Sequence, residues 1–255
     1  MTEFKQYHDG TETELKFHSQ TCIYFCQCDA MHRLSFFELF RILSDAAVED
    51  YNQRGMSWQM LYENNFGILL SRQSIRFHKM PMANQKITIN TWEEKCQPLQ
   101  FVRNFQIVDT ETDEILVTGS SNWLLVNPNT HRILRLRDFT IRPESTIQTE
   151  PDCIPTGKIA VPEDITLLCS RPIWYSDVDG NGHMNNARYG AFVIDALPAE
   201  YQKKDFTDLR INYSKEAMVG QEIQLYGKFL DEEHKIIIIG KQQDQVCFEC
   251  EVYWK

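Results

Sequence analysis

The chain has no long hydrophobic run. No apolar stretch in its 255 residues approaches the ~20 that a membrane-crossing helix needs, so no such helix is expected. The opening residues, MTEFKQYHDGTETELKFHSQ, lack the apolar core of a secretory signal, which points to the cytosol. Positive charge is also short: 26 Lys and Arg stand against 36 Asp and Glu, a net charge of -10. A large basic surface is therefore not expected, which argues against nonspecific nucleic-acid binding but leaves room for a small basic patch. Without an export signal, the eight cysteines read as free thiols rather than a disulfide framework. Cys22, Cys26 and Cys28 lie at even spacing in a strand-like run and would share one face. Cys247 and Cys250 form a C-x-x-C in the strand-like QVCFECEVYW, where odd spacing sends the thiols to opposite faces. Packing accounts for them better than zinc.

What is present is periodic order. The length suits one large domain or two of roughly 100–150 residues. KFHSQTCIYFCQCD reads as a strand, and SFFELFRILSDAAVEDYNQRG follows as a helix. Ser35 and Glu38 form an S-x-x-E capping box, Gly55 can terminate the helix, and Phe36, Leu39, Phe40, Leu43, Ala47 and Tyr51 make its apolar face. Strands are expected at 67–78, 85–93, 100–109 and 114–126, with a short piece near 132–135, and VDTETDEI marks a hairpin turn. From residue 136 to 164 periodicity fades, and Pro143, Pro151, Pro155 and Pro162 interrupt the chain.

The pattern then restarts: strand (ITLLCSRPIWYS), loop (DVDGNGHMNN), helix (ARYGAFVIDALP), and strands at 207–214, 221–230, 234–242 and 245–254. The second helix carries Ala187, Ala191, Phe192, Val193 and Ile194, apolar around most of its circumference, so other structure must enclose it. A long antiparallel sheet wrapped around one helix would do so. Two such units in succession imply a duplicated α+β architecture: an N-terminal domain at 1–140, a linker at 141–164 and a C-terminal domain at 165–255.

The loop SDVDGNGHMNN begins like a calcium site, with Asp177, Asp179 and Asn181 alternating ahead of Gly182. Position twelve from Asp177 is Arg188, where a bidentate glutamate is required, and the preceding RPIWYS is extended rather than helical. Calcium is therefore rejected. A plain strand-to-helix turn, capped by Asn185 or Asn186, explains the glycines but leaves Asp179, Asn181 and His183 as three alternating functional side chains, which the alternation would aim at a common site.

DVDGNGHMNNARY, followed by INYSKEAM, closely resembles the active-site region of plant and bacterial acyl-acyl-carrier-protein (acyl-ACP) thioesterases. That family carries D-x-N-x-H-x-N-N before its second central helix, here Asp179 to Asn186, and a glutamate in a Y-x-x-E segment, here Tyr213 to Glu216. TGSSNWLLVNPNTHRILR resembles the family's strand-turn-strand segment in the first half, so the similarity spans roughly residues 15–254.

The resemblance implies two tandem hotdog domains, each an antiparallel sheet wrapped around a central helix. The implied activity is hydrolysis of fatty acyl-ACP to free fatty acid, without metal or organic cofactor. By this likeness the catalytic set is Asp179, Asn181, His183 and Glu216. His183 would take a proton, Glu216 would orient water or share the base role, Asn181 would position water or the carbonyl, and Asp179 would hold its neighbours. Backbone N–H groups at the start of the 187–197 helix would help to stabilise the oxyanion.

Plant members have a cysteine after the glutamate; Ala217 stands there in this chain, which favours activated water over a covalent route. Cys169 is read as a structural thiol, and His32, in a first-half segment with no D-x-N-x-H counterpart, as a packing or surface residue. The first domain would hold the acyl chain. The partner would be acidic acyl-carrier protein, met by Lys203, Lys204, Arg210 and Lys215 or by Arg132, Arg135 and Arg137. An acyl-CoA thioesterase and a noncatalytic acyl-binding protein of the same fold are the alternatives, and homodimerisation is left open.

Overall fold

The computed structural model describes residues 4–255. Each half is built around one helix. In the first, β1 (Gln6–Asp9) and β2 (Lys16–Cys22) precede α1 (Phe36–Gln53) and the short α2 (Trp58–Glu63). β3 (Gly67–Phe77), β4 (Lys86–Glu93), β5 (Phe101–Asp109) and β6 (Ile115–Val126) follow. In the second half, β7 (Thr166–Pro172) leads to α3 (Arg188–Asp195) and α4 (Ala199–Gln202). β8 (Phe206–Tyr213), β9 (Glu222–Leu230), β10 (Lys235–Gln242) and β11 (Gln245–Trp254) complete it. The strands form one sheet in the order β1-β2-β4-β5-β6-β3-β8-β11-β10-β9-β7, every pairing antiparallel.

The order is palindromic. Read from either edge after β1, the strands before, after and furthest along from each helix occupy matching places, and β3 meets β8 at the centre with Ser74 opposite Arg210. The two expected wrapped sheets are thus present but fused into a single surface that curves around both helices. One apolar core runs through both halves, with Phe36 of α1 packed on Phe77 and on Phe206. α1 and α3 touch where Gly190 meets Phe36: a Cβ on Gly190 would sit 2.9 Å from the Phe36 carbonyl carbon, so only glycine allows this approach.

Local expectations were met where alternation or 3.6-residue periodicity was strong. Ser35 caps α1 by accepting the Glu38 N–H, and Gly55 follows the helix at φ +79°. The two strands leading into the helices are shorter than expected. Each ends early (Cys22, Pro172) and gives way to a 3-10 turn, Phe25–Gln27 and Tyr175–Asp177, so Cys26 and Cys28 leave the strand and share no face with Cys22. The piece near 132–135 is a single bridge, Val126 to Ile133, and not a strand. Cys247 and Cys250 do not diverge either. Gly240 pairs with Phe248 and Lys241 with Val246, which leaves Cys247 in a bulge that resets the alternation, and both thiols are buried in the same core.

The stretch 141–164 contains neither helix nor strand, yet it is bound along its length. It lies over the outer face of the central strands as a strap. Ser74 and Thr118 donate to the carbonyls of Ile154 and Asp152, and Arg210 and Asn212 donate to those of Pro155 and Gly157. Polar residues on the outer sheet face thereby gain the partners that burial demands.

Candidate active site

The loop between β7 and α3 is held by its own backbone. Asp179 accepts the Asn181 N–H on its carboxylate at 2.8 Å and the Gly182 N–H on its carbonyl at 2.9 Å, while its own N–H donates to the His183 carbonyl at 2.9 Å. Gly182 turns the chain at φ +80°. This turn breaks the alternation that would have aimed three side chains one way. The Asp179 carboxylate faces its own loop, Asn181 stands exposed at the tip, and only His183 turns toward a distant partner.

That partner is Glu216. After β8 the chain passes back along the loop: His183 bridges to Met218, and the Met184 N–H donates to the Ala217 carbonyl at 2.7 Å. The stitching places Glu216 Oε2 3.3 Å from His183 Nε2, with 29% of the histidine and 47% of the glutamate side chain open to solvent. The pair is both formed and reachable.

Arg188 closes the calcium alternative from within. Its Nε lies 3.6 Å from Asp177 Oδ1, so a guanidinium occupies the carboxylate that would have been the first ligand. Arg188 also donates to the Ser176 carbonyl and covers the Phe37 ring at 4.3 Å, which ties the loop to α1. Asn185, one of the two expected caps, receives the Ala187 N–H on its side chain and the Arg188 N–H on its carbonyl. Those two N–H groups are therefore spent. The N–H groups of Asn186 and Tyr189 at this helix start take no partner among the described residues.

Beneath the pair lies an aromatic floor that spacing alone did not reveal. Tyr189 packs edge-on against Tyr213 and Phe248, and the Tyr213 hydroxyl donates to the Asn186 carbonyl at 3.3 Å. Burial, then the nearby Cys247 and Glu216, raises the Tyr189 phenol, and burial raises Tyr213 well above its ordinary value, so both remain neutral hydrogen-bonding groups. The thiol beneath the site is Cys247, whose carbonyl receives the Ser214 N–H. It is fully buried, and burial pushes its thiol up, which suits a packing role rather than a nucleophile. Cys169 sits on the edge strand β7, with Asp195 at the far end of α3 among the groups that raise it.

The first half lacks the D-x-N-x-H residues, as expected, yet it carries the same loop backbone. Residues 21–35 follow the same succession of strand, 3-10 turn, bridge and bend as residues 171–185. Asp29 matches Asp179, Arg33 takes the place of His183, and His32 matches Gly182, exposed at φ +60° beside Phe25.

The chain matches the models of the acyl-ACP thioesterase N-terminal domain over residues 14–143 and C-terminal domain over residues 169–255. It belongs to the acyl-ACP thioesterase family. A chloroplastic acyl-[acyl-carrier-protein] hydrolase of Cuphea viscosissima is 24% identical over 169 residues, 61% of this chain and 40% of that protein. The chain spans about two-fifths of the length of the curated relatives it matches. Among solved structures, an acyl-ACP thioesterase from Bacteroides thetaiotaomicron superposes with a TM-score of 0.80 at 24% identity, covering 94% of this chain and 98% of the other. A 12:0-ACP thioesterase from Umbellularia californica gives the same TM-score at 14% identity, covering 94% and 97%. These likenesses establish the tandem hotdog fold.

Proposed function

We propose that this protein hydrolyses the thioester between a fatty acyl chain and acyl-carrier protein, using water activated at His183 and Glu216. The observation that carries the reading is the 3.3 Å pair, open to solvent on a loop pinned at the start of α3. In this reading water attacks the carbonyl carbon and its proton passes to the pair, where Glu216 stabilises the imidazolium. Negative charge grows on the carbonyl oxygen, and the Asn186 and Tyr189 N–H groups are the candidate donors to it. Collapse of the tetrahedral intermediate breaks the C–S bond, and the departing thiolate takes the proton. Asp179 serves by holding the turn, and Asn181 by meeting substrate at the loop tip.

A narrow crevice leads away from Asn186 and Ala187 between the two helices, past Tyr213, Trp123, Phe105 and Phe40. Its lining comes mostly from the first half, which suits that half to hold the acyl chain. Of the two basic groups considered for the acidic carrier, one dissolves. Lys203 and Lys204 precede β8 and Lys215 follows it, so about 25 Å of strand separates them. Arg210 is engaged by Glu251 on the outer face. Arg132, Arg135 and Arg137 are all exposed, on the loop that leaves β6. Because β8 pairs with β3, and the start of β3 pairs with the end of β6, this loop emerges at the sheet end that bears Glu216.

The test is a series of acyl chains presented on acyl-carrier protein and on coenzyme A. Turnover on the former, lost in His183→Ala, is expected. Preference for coenzyme A would shift the substrate assignment, and no turnover on either carrier would leave a noncatalytic acyl-binding role.

A further inference from the structure

The crevice between the helices is lined mainly by apolar and aromatic groups, and one of its polar side chains holds a buried, unpaired atom. Gln73, on the inward face of β3 opposite Ile211, is 4% exposed, and its Oε1 is buried without a hydrogen-bond partner. Its polar neighbours are accounted for: the Trp123 indole N–H donates to Ser121 Oγ at 2.7 Å, and the Tyr213 hydroxyl donates to the Asn186 carbonyl. A buried acceptor left unpaired costs free energy that leucine or methionine at the same place would not. Across the crevice α1 contributes Ser44, one turn from Phe40, a second polar side chain, which brings a hydroxyl to that wall.

On the reading that this crevice receives the acyl chain, we propose that Gln73 recognises a hydroxyl carried on that chain, so that the favoured substrates are hydroxyacyl thioesters. A chain hydroxyl donates to Gln73 Oε1, and its oxygen is free to accept from the amide of Gln73 or the hydroxyl of Ser44. An unsubstituted chain fills the same volume and leaves the carboxamide orphaned. Discrimination of this kind comes from the unpaired group left behind when the wrong substrate binds, and is steeper than discrimination by shape alone.

The proposal rests on the thioesterase reading, and one experiment separates the two. The purified chain is given acyl-ACP substrates of matched length, either unsubstituted or hydroxylated at successive single positions, and kcat/KM is measured for each. One positional isomer is expected to exceed the unsubstituted chain by about 10-fold or more. In Gln73→Leu the ratio is expected to fall to about 1. Gln73→Met, closer in shape, repeats the measurement should the leucine variant fold poorly, with folding followed by thermal melting. Turnover of the unsubstituted chain with every hydroxylated isomer equal or worse overturns this inference and leaves the thioesterase reading intact. No turnover of any acyl-ACP overturns both.

Discussion

In the first half the strand-to-helix loop runs from Thr21 to Ser35, and in the second from Arg171 to Asn185, with the same turns and nearly the same hydrogen bonds. Asp29 accepts the Met31 N–H at 2.8 Å, as Asp179 accepts that of Asn181. The Leu34 N–H donates to Pro81, as that of Met184 donates to Ala217. The difference lies in one side chain. Arg33 is nearly buried, paired with Asp29, and donates to the Lys204 and Gln202 carbonyls of the other half at 2.8 Å each. His183 instead faces Glu216 in the open. The same backbone cradle makes a staple between halves in one copy and a candidate reaction centre in the other. The aspartate common to both supports the cradle in each copy.

A second contrast lies at the other end of the helices. Glu93 of β4 faces Arg103 of β5, and Asp50 and Arg142 close a buried network around Tyr51. The same register in the second half pairs Phe229 with Ile236. Burial alone would raise Asp50 and Glu93, but Arg103 with Arg54 or Arg142 outweighs it and holds both carboxyls below their ordinary values. Removing Arg103 takes the nearest guanidinium from buried Asp50 and a second one from Glu93, which leaves Glu93 to Arg142 and Asp50 to His8 and the more distant Arg54. Arg103→Met is the largest effect expected, about 3–5 kcal/mol of stability by chemical denaturation. Carboxyls depressed in the folded state stabilise above their unfolded pKa and lose that contribution as pH falls through the folded value. The wild-type melting temperature should therefore drop below about pH 4, and the drop should be shallower in Arg103→Met. Equal acid sensitivity of the two proteins would show that the network is not the acid-labile element.

Next in size are the two loop residues. His183→Ala and Glu216→Ala should each lower turnover by about 10²-fold or more, at least about 2.7 kcal/mol of the barrier, with little change in melting. Near-normal turnover in folded His183→Ala would sever the pair from the chemistry. Arg33→Met should do the reverse. Stability falls by about 2–3 kcal/mol as two interdomain carbonyls lose charged donors, while turnover of the folded fraction persists. Loss of turnover without loss of stability would mean that the first loop is no mere staple.

Most of the strands were legible because pleated, half-buried residues alternate whatever the rest of the chain does, and the helix face of Phe36, Leu39, Phe40 and Leu43 was equally plain. β1 was not, since QYHD is a polar edge strand with no buried residue to mark it. α2 was not, because its six residues are too few to show a period. Position twelve of the false calcium loop could be rejected from Arg188 alone, but the arginine's hold on Asp177 is a tertiary contact that spacing does not encode. His183 and Glu216 were joined through family likeness, because 33 residues and a whole strand of packing separate them (216 minus 183). The common aim assigned to Asp179 and Asn181 came from assuming an extended loop, and the left-handed Gly182 removes that premise.

The smallest effect concerns an asymmetry at the sheet end that bears the site. The β6 loop there offers three exposed arginines, whereas the segment that leaves β8 and carries Glu216 offers Lys215. If the acidic carrier docks on that loop, reversing Arg132, Arg135 and Arg137 to glutamate should raise KM for acyl-ACP several-fold and leave kcat little changed, since charges at a rim act on encounter more than on chemistry. Added salt should raise KM for the wild type and hardly move it in the variant, because screening removes an attraction that the variant no longer has. Hydrolysis of a small acyl thioester without the carrier should be the same in both. A KM unmoved by the triple reversal at low salt would take the carrier off this loop and turn attention to exposed Lys215, beside Glu216.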